Sequence, residues 1–194
     1  MARRILLSGV QGSGKTTLLN EVVRQGVDCT AISGSDVLRR VTGTTDISDF
    51  DKLSEEVRTK FRGKAVDYLL ELSRTRAHPL IIDGHLILRN RETGEIEINW
   101  NEHDQRLYTE IIFLNIDAET ILKRRLGDSK ERSLTLNSVV EEVNSEMSAI
   151  QKYIIDKPVS VIEQTELSLA AKELRKILEP KRRIEANDEM PNWL

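Results

Sequence analysis

Between Gly9 and Thr17 the chain reads GVQGSGKTT. Those residue types at those spacings suit one kind of chemistry, the grip of a polyphosphate. Glycines at 9, 12 and 14 let the backbone curl and approach phosphates where a Cβ would clash. Turned N–H groups at a helix N-terminus, together with the helix dipole, favour an anion. Lys15 has the reach for the outer phosphates and the Thr16 hydroxyl can ligate Mg²⁺, and the stretch fits the G-x-x-x-x-G-K-[ST] pattern. The motif predicts a bound nucleoside triphosphate. It leaves three fates open for the terminal phosphoryl group: transfer to a small acceptor, transfer to water, or use as a switch.

Two further sets of residues bear on that choice. Asp83 closes the apolar run LIID, which places it at the carboxyl edge of a sheet, where open α/β folds bind ligands. A carboxylate there can hold Mg²⁺ through water, although an aspartate in a turn after a strand is common. The segment ILKRRLGDSKERS gathers Lys123, Arg124, Arg125, Lys130 and Arg132. Guanidinium groups stabilise charge spread over a transferring phosphoryl group. Basic residues in a last helical turn also suit the helix dipole without any catalysis, so at least one of Arg124, Arg125 and Arg132 is expected to act on the phosphates.

These residues need elements to position them. RILLSG reads as a buried strand ending at the glycine-rich loop, and Leu18, Leu19, Val22 and Val23 mark one face of the helix after it. CTAIS is a second strand, with a helix able to start at Ser35. Leu53, Val57, Phe61, Ala65 and Leu69 recur every fourth residue, which predicts a long amphipathic helix to about Arg74. After the LIID strand, Thr93-Gly94 followed by Ile96, Ile98 and Trp100 predicts a small inserted hairpin. EIIFLNI is a buried strand, followed by a helix capped by Asp117 and stopped at Gly127. Ser138 and Glu141 have capping-box spacing ahead of an apolar face running to Ile154. VSVI is a fifth strand, and Leu169 to Leu178 a final helix. Strands alternating with helices predict an α/β sandwich with a mostly parallel sheet and right-handed crossovers.

The bulk numbers are consistent with that reading. The chain has 194 residues with 39% hydrophobic and 31% charged side chains, which suits one globular domain with a real core. A net charge of −3 and 4% aromatic residues argue against nucleic-acid binding, a membrane surface or base-stacking platforms. Cys29 has no disulfide partner and no metal-ligand spacing. The apolar run after the basic start ends at Gln11–Lys15, too soon for a signal peptide, and a cytoplasmic location is expected.

Taken together, ILLSGVQGSGKTT, ISGSDVLRR, LIIDGH and ILKRRLGDSKERS occur in the order of nucleoside monophosphate kinases. The sequence most resembles archaeal-type adenylate kinases in its length, its acid–small–His sequence after the third strand and a short lid beginning R-R-L-G-D. The likeness covers roughly Arg3 to Tyr153. It implies a three-layer P-loop NTPase fold of the α/β class: a five-stranded mostly parallel sheet, helices on both faces, a short lid at about 127–135 and an insert at about 89–108. Residues 1–179 would form a single domain and 180–194 a tail. It implies ATP held by Gly9, Gly12, Ser13, Gly14, Lys15, Thr16 and Thr17, Mg²⁺ held at Thr16 and Asp83, and Lys15, Arg124, Arg125 and Arg132 acting on the transferred group. The acceptor would be a nucleoside monophosphate, AMP first. Asp36 and Arg39 match D-x-L-R, so Ser35, Asp36, Arg39 and His85 are acceptor candidates. Some archaeal-type relatives form symmetric oligomers, so the resemblance admits a homo-oligomer. The D-G-F-P-R pattern of bacterial and eukaryotic relatives is absent, and Arg89 in DGHLILR is not equivalent to its arginine. This leaves another small metabolite, or a P-loop ATPase or regulatory nucleotide-binding module, as alternatives.

Overall fold

A computed structural model describes residues 2–45, 50, 53–90, 93–128 and 134–179. Five short apolar strands form one parallel sheet: β1 (Arg4–Ser8), β2 (Thr30–Ser33), β3 (Leu80–Asp83), β6 (Glu110–Leu114) and β7 (Val159–Ile162), in the order β2-β3-β1-β6-β7. All four pairings are parallel. The hairpin expected after β3 is present as β4 (Ile87–Arg89) and β5 (Ile96–Ile98), paired antiparallel.

The sheet is apolar on both faces because helices cover both, as parallel sheets require. The period-two alternation of strand side chains divides the core. Ile5, Leu7, Ile81, Ile112 and Leu114 point to one face, where they meet Leu18 and Val22 of α1 (Lys15–Arg24), and Ala171 and Leu174 of α7 (Leu167–Leu178). Leu6, Leu80, Ile82, Ile111 and Phe113 point to the other. There they meet Val37 of α2 (Gly34–Thr42), and Val66 and Leu69 of α3 (Glu55–Arg74). Two further helices flank β6: α4 (Glu102–Leu107) before it and α5 (Ala118–Leu126) after it. The long α6 (Leu136–Tyr153) contributes Val139 to the first core and Ala149 and Ile150 to the second, so it links the two layers.

Local signals explain most boundaries. The Asp117 side chain accepts from the Thr120 N–H and Gly127 ends α5, as expected. Two expectations are corrected and one element is new. α6 starts at Leu136 with Thr135 as its cap, accepting from the Ser138 N–H, so Ser138 lies inside the first turn and does not open the helix. The stripe expected on α3 holds at Ala65 and Leu69, but Leu53 precedes the helix and is exposed, and Val66 joins the buried face while Arg58 and Arg62 line a cavity. Finally α4 was not foreseen, although Asn101 and Asp104 form a reciprocal capping box, each side chain bonding the other's backbone N–H.

Candidate active site

The three glycines of the loop after β1 have φ of 148° (Gly9), 86° (Gly12) and 101° (Gly14), conformations that L side chains rarely adopt. A Cβ on Gly9 would stand 2.8 Å from the Leu114 carbonyl oxygen, so the loop also lies against the end of β6. Gly14 caps α1, and the loop is aimed at a helix N-terminus as the motif predicts. Ser13 is buried, and its Oγ has no hydrogen-bond partner among the described residues. An orphaned hydroxyl inside a polar loop is what a phosphate oxygen would satisfy.

Sheet register brings the next residues to the same place. Asp83 stands beside Leu7 of β1 and Ser33 of β2, at the carboxyl edge next to the glycine-rich loop. The Thr16 hydroxyl donates to Asp83 Oδ2 at 2.5 Å. The Lys15 ammonium is buried, donates to the carbonyls of Gly9 (2.6 Å) and Val10 (3.1 Å), and lies 3.9 Å from Asp83 Oδ1. The structure therefore assembles Lys15, Thr16 and Asp83, 67 residues apart in sequence, into one cluster.

The basic segment divides. Arg124 on α5 donates to the Ser13 carbonyl, and at 2.9 Å to the Thr165 carbonyl beyond β7, so its guanidinium lies against the loop. Arg125 is 2% exposed. It donates to the Gln11 carbonyl at 2.7 Å and to Glu142 Oε2 at 2.5 Å, which ties the loop to α6. Arg132 and Lys130 lie outside the described residues.

A cavity of about 1760 Å³ takes in the cluster and the glycine-rich loop and is lined also by α2, α3 and the hairpin. Ser35, Asp36, Arg39 and His85 all line it. Arg39 and Asp36 pair with each other one turn apart on α2. Burial, then the positive charges of Lys15 and Arg62, push the His85 imidazolium down to about 3, so the ring is neutral near pH 7.

Sequence reasoning missed several lining residues. Arg58 and Arg62 enter from α3 and Asp104 from α4. Arg58 pairs with Glu97 of β5 at 3.9 Å, and its Nε is buried without a hydrogen-bond partner among the described residues. The hairpin is part of the wall through Leu88 and Glu97, followed by Asn99 and Trp100 beyond it, and the Trp100 ring stacks on Tyr108 at 5.9 Å. An Arg-x-x-x-Arg pair leading into an apolar stripe was the available signal, but it is indistinguishable from a solvated face until the helix is docked. Arg89, set aside in the sequence, clamps the hairpin to α6 through Glu141 and Glu142.

Residues 8–143 match the family model described as AAA domain. No curated protein matches the chain. Among solved structures, a shikimate kinase from Bacteroides thetaiotaomicron is 18% identical, with a TM-score of 0.57 over 92% of this chain and 99% of its own. A sugar kinase from Janibacter sp. is 16% identical, with a TM-score of 0.55 over 93% and 97%. The tunicamycin resistance protein of Deinococcus radiodurans is 14% identical, with a TM-score of 0.61 over 92% and 96%. At these identities the likeness is one of fold: an α/β architecture around a five-stranded parallel sheet.

Proposed function

The chain belongs to the AAA domain family, and on that premise we propose that it transfers the γ-phosphoryl group of ATP to a small acceptor bearing an acidic group. One observation carries the reading. One cavity is lined both by the Lys15–Thr16–Asp83 cluster and by Arg39, Arg58 and Arg62. A module that only hydrolysed or sensed nucleotide would need the first set alone.

The chain's own groups divide the work. Lys15, now on the loop's own carbonyls, exchanges those partners for the outer phosphate oxygens. Arg124 adds positive charge over the loop, and Arg132 is assigned the same task from the lid at about 127–135. The Arg125 guanidinium holds the Gln11 carbonyl and so fixes the loop's shape around the phosphates. Thr16 and Asp83 fit Mg²⁺ as hard oxygen donors 2.5 Å apart. Among the described residues no group of three or more His, Cys, Asp or Glu could cage a metal, which suits an ion bound mainly through nucleotide phosphates and water. When bound, Mg²⁺ neutralises charge on the phosphates. Arg39, Arg58 and neutral His85 orient the acceptor, and closure of the cavity excludes water as a competing acceptor.

AMP, whose phosphate supplies the acidic group, is the first acceptor to try, and acidic hydroxylated metabolites are the next class. Phosphoryl transfer from Mg·ATP is measured across AMP, CMP, UMP, GMP, dCMP and a panel of hydroxylated carboxylates and sugar phosphates. Transfer to at least one is expected. Lys15→Met should cut kcat/KM by about 100-fold or more, the usual cost of removing one charge-stabilising donor. ATP binding with no transfer to any member, and hydrolysis indifferent to all of them, would sink the reading in favour of an ATPase or regulatory module.

A further inference from the structure

Two carboxylates one helical turn apart on α6, Glu142 and Glu146, are 6% and 0% exposed. Each is bonded to two separate parts of the structure. On the donor side, Glu142 Oε2 accepts from Arg125 at 2.5 Å, and Arg125 in turn donates to the Gln11 carbonyl of the glycine-rich loop. On the hairpin side, Glu142 Oε1 accepts from Arg89 Nε at 2.9 Å, and Arg89 Nη1 donates to the Gly94 carbonyl in the hairpin turn. Glu146 repeats the pattern. It accepts from the Ser8 hydroxyl at the end of β1, and from the backbone N–H groups of Leu86 and Ile87 at 3.0 Å, where the hairpin begins.

Anchoring α6 to the body would require only one of these sides. Breaking the Glu142–Arg125 contact would take a carboxylate away from a buried guanidinium, at a cost of several kcal/mol, and displacing Glu146 would give up its hydrogen bonds from Ser8 or from the first amides of the hairpin. A shift of the Gln11 carbonyl or of the end of α5 is therefore passed to α6 and on to the hairpin that walls the far end of the cavity. Resting on the donor reading above, we propose that Glu142 and Glu146 are positioning residues through which nucleotide binding at the loop sets the position of the β4–β5 hairpin. The donor nucleotide would thereby prepare the acceptor wall, and the two ligands would bind with positive coupling.

The test needs no acceptor. Trp100 borders the hairpin, and a Trp193→Phe background leaves it as the single tryptophan. A non-hydrolysable ATP analogue with Mg²⁺ is titrated while Trp100 emission and hydrogen exchange of residues 87–98 are followed. In the parent, nucleotide should change Trp100 emission and slow exchange of the hairpin amides by about fivefold or more, the lower range of measured couplings. Arg89→Met cuts the chain at its hairpin end, far from the loop. It should bind the analogue within about threefold of the parent, an effect below 1 kcal/mol, yet lose both responses. Glu142→Gln should lose them too. Nucleotide binding without any hairpin response in the parent overturns the coupling and leaves the donor reading standing. An unchanged response in Arg89→Met also overturns it. No nucleotide binding by the parent overturns both.

Discussion

His85 and Asp104 line the same cavity and titrate in opposite senses. Burial first, then Lys15 and Arg62, hold the His85 imidazolium down to about 3 from an ordinary 6.5. Burial lifts the Asp104 carboxyl from 3.8 to about 6, against the Asn101 N–H and the charges of Arg62 and His103. The unfolded chain therefore takes a proton at residue 85 that the folded one refuses, and stability falls as pH drops from 6.5 towards 3. At residue 104 the folded chain keeps a proton that the unfolded one releases near 3.8, so that contribution is lost as pH rises through 6. Asp104→Asn keeps an oxygen for the Asn101 N–H and carries no charge. It should add about 1–2 kcal/mol of stability at pH 7.5 and nothing at pH 3.5, read from urea melts. An equal gain at both values would place its effect outside the ionisation. At this scale the sequence showed Lys15, Thr16 and Asp83, because a motif fixes the first two and a strand end the third. Arg58, Arg62 and Asp104 were hidden, since nothing local distinguishes a charge that faces a cavity from one that faces water.

Among the elements, the sheet was the most legible part. Runs such as LIID and EIIFL are buried on both faces, so their hydrophobicity alone marks them, and the five expected strands pair as a parallel sheet. Helix starts depend on single side chains and were less secure. Thr135, not Ser138, caps α6, and the six residues of α4 are too few to show a period. The element that the site depends on most is the loop between β1 and α1, because Gly9 serves two ends there. Its φ of 148° strains any other residue, and a Cβ would meet the Leu114 carbonyl at 2.8 Å, against backbone that cannot give way. Gly9→Ala should lower stability by about 2–4 kcal/mol, combining φ strain with displacement of β6 from β1. Gly26→Ala is the control, since its φ is also positive at 76° but its Cβ would meet nothing within 4 Å. It should cost only about 1 kcal/mol. Equal losses in the two variants would show that the contact with β6 contributes nothing.

For the whole molecule, the two ends of the cavity make separate demands on one fold, and thermal unfolding can read each. A ligand that binds only the native state adds about 2.7 kcal/mol at one hundred times its Kd. For a chain of this length that raises Tm by about 5–10 °C. A non-hydrolysable ATP analogue with Mg²⁺ cannot pass its terminal group on, so it fills the donor end without turnover and should give this first increment. An acceptor that binds beyond it, with AMP as the first trial, should add a second increment larger with the Mg²⁺ analogue present than without it, if the hairpin is set by the nucleotide. Arg58 stands on the acceptor wall, with Nε buried and unbonded among the described residues. Arg58→Met should therefore shrink the second increment and spare the first. Loss of both would mean that the change disturbs the fold. Loss of neither would remove Arg58 from the acceptor wall and leave Arg39 and His85 to hold the acidic group.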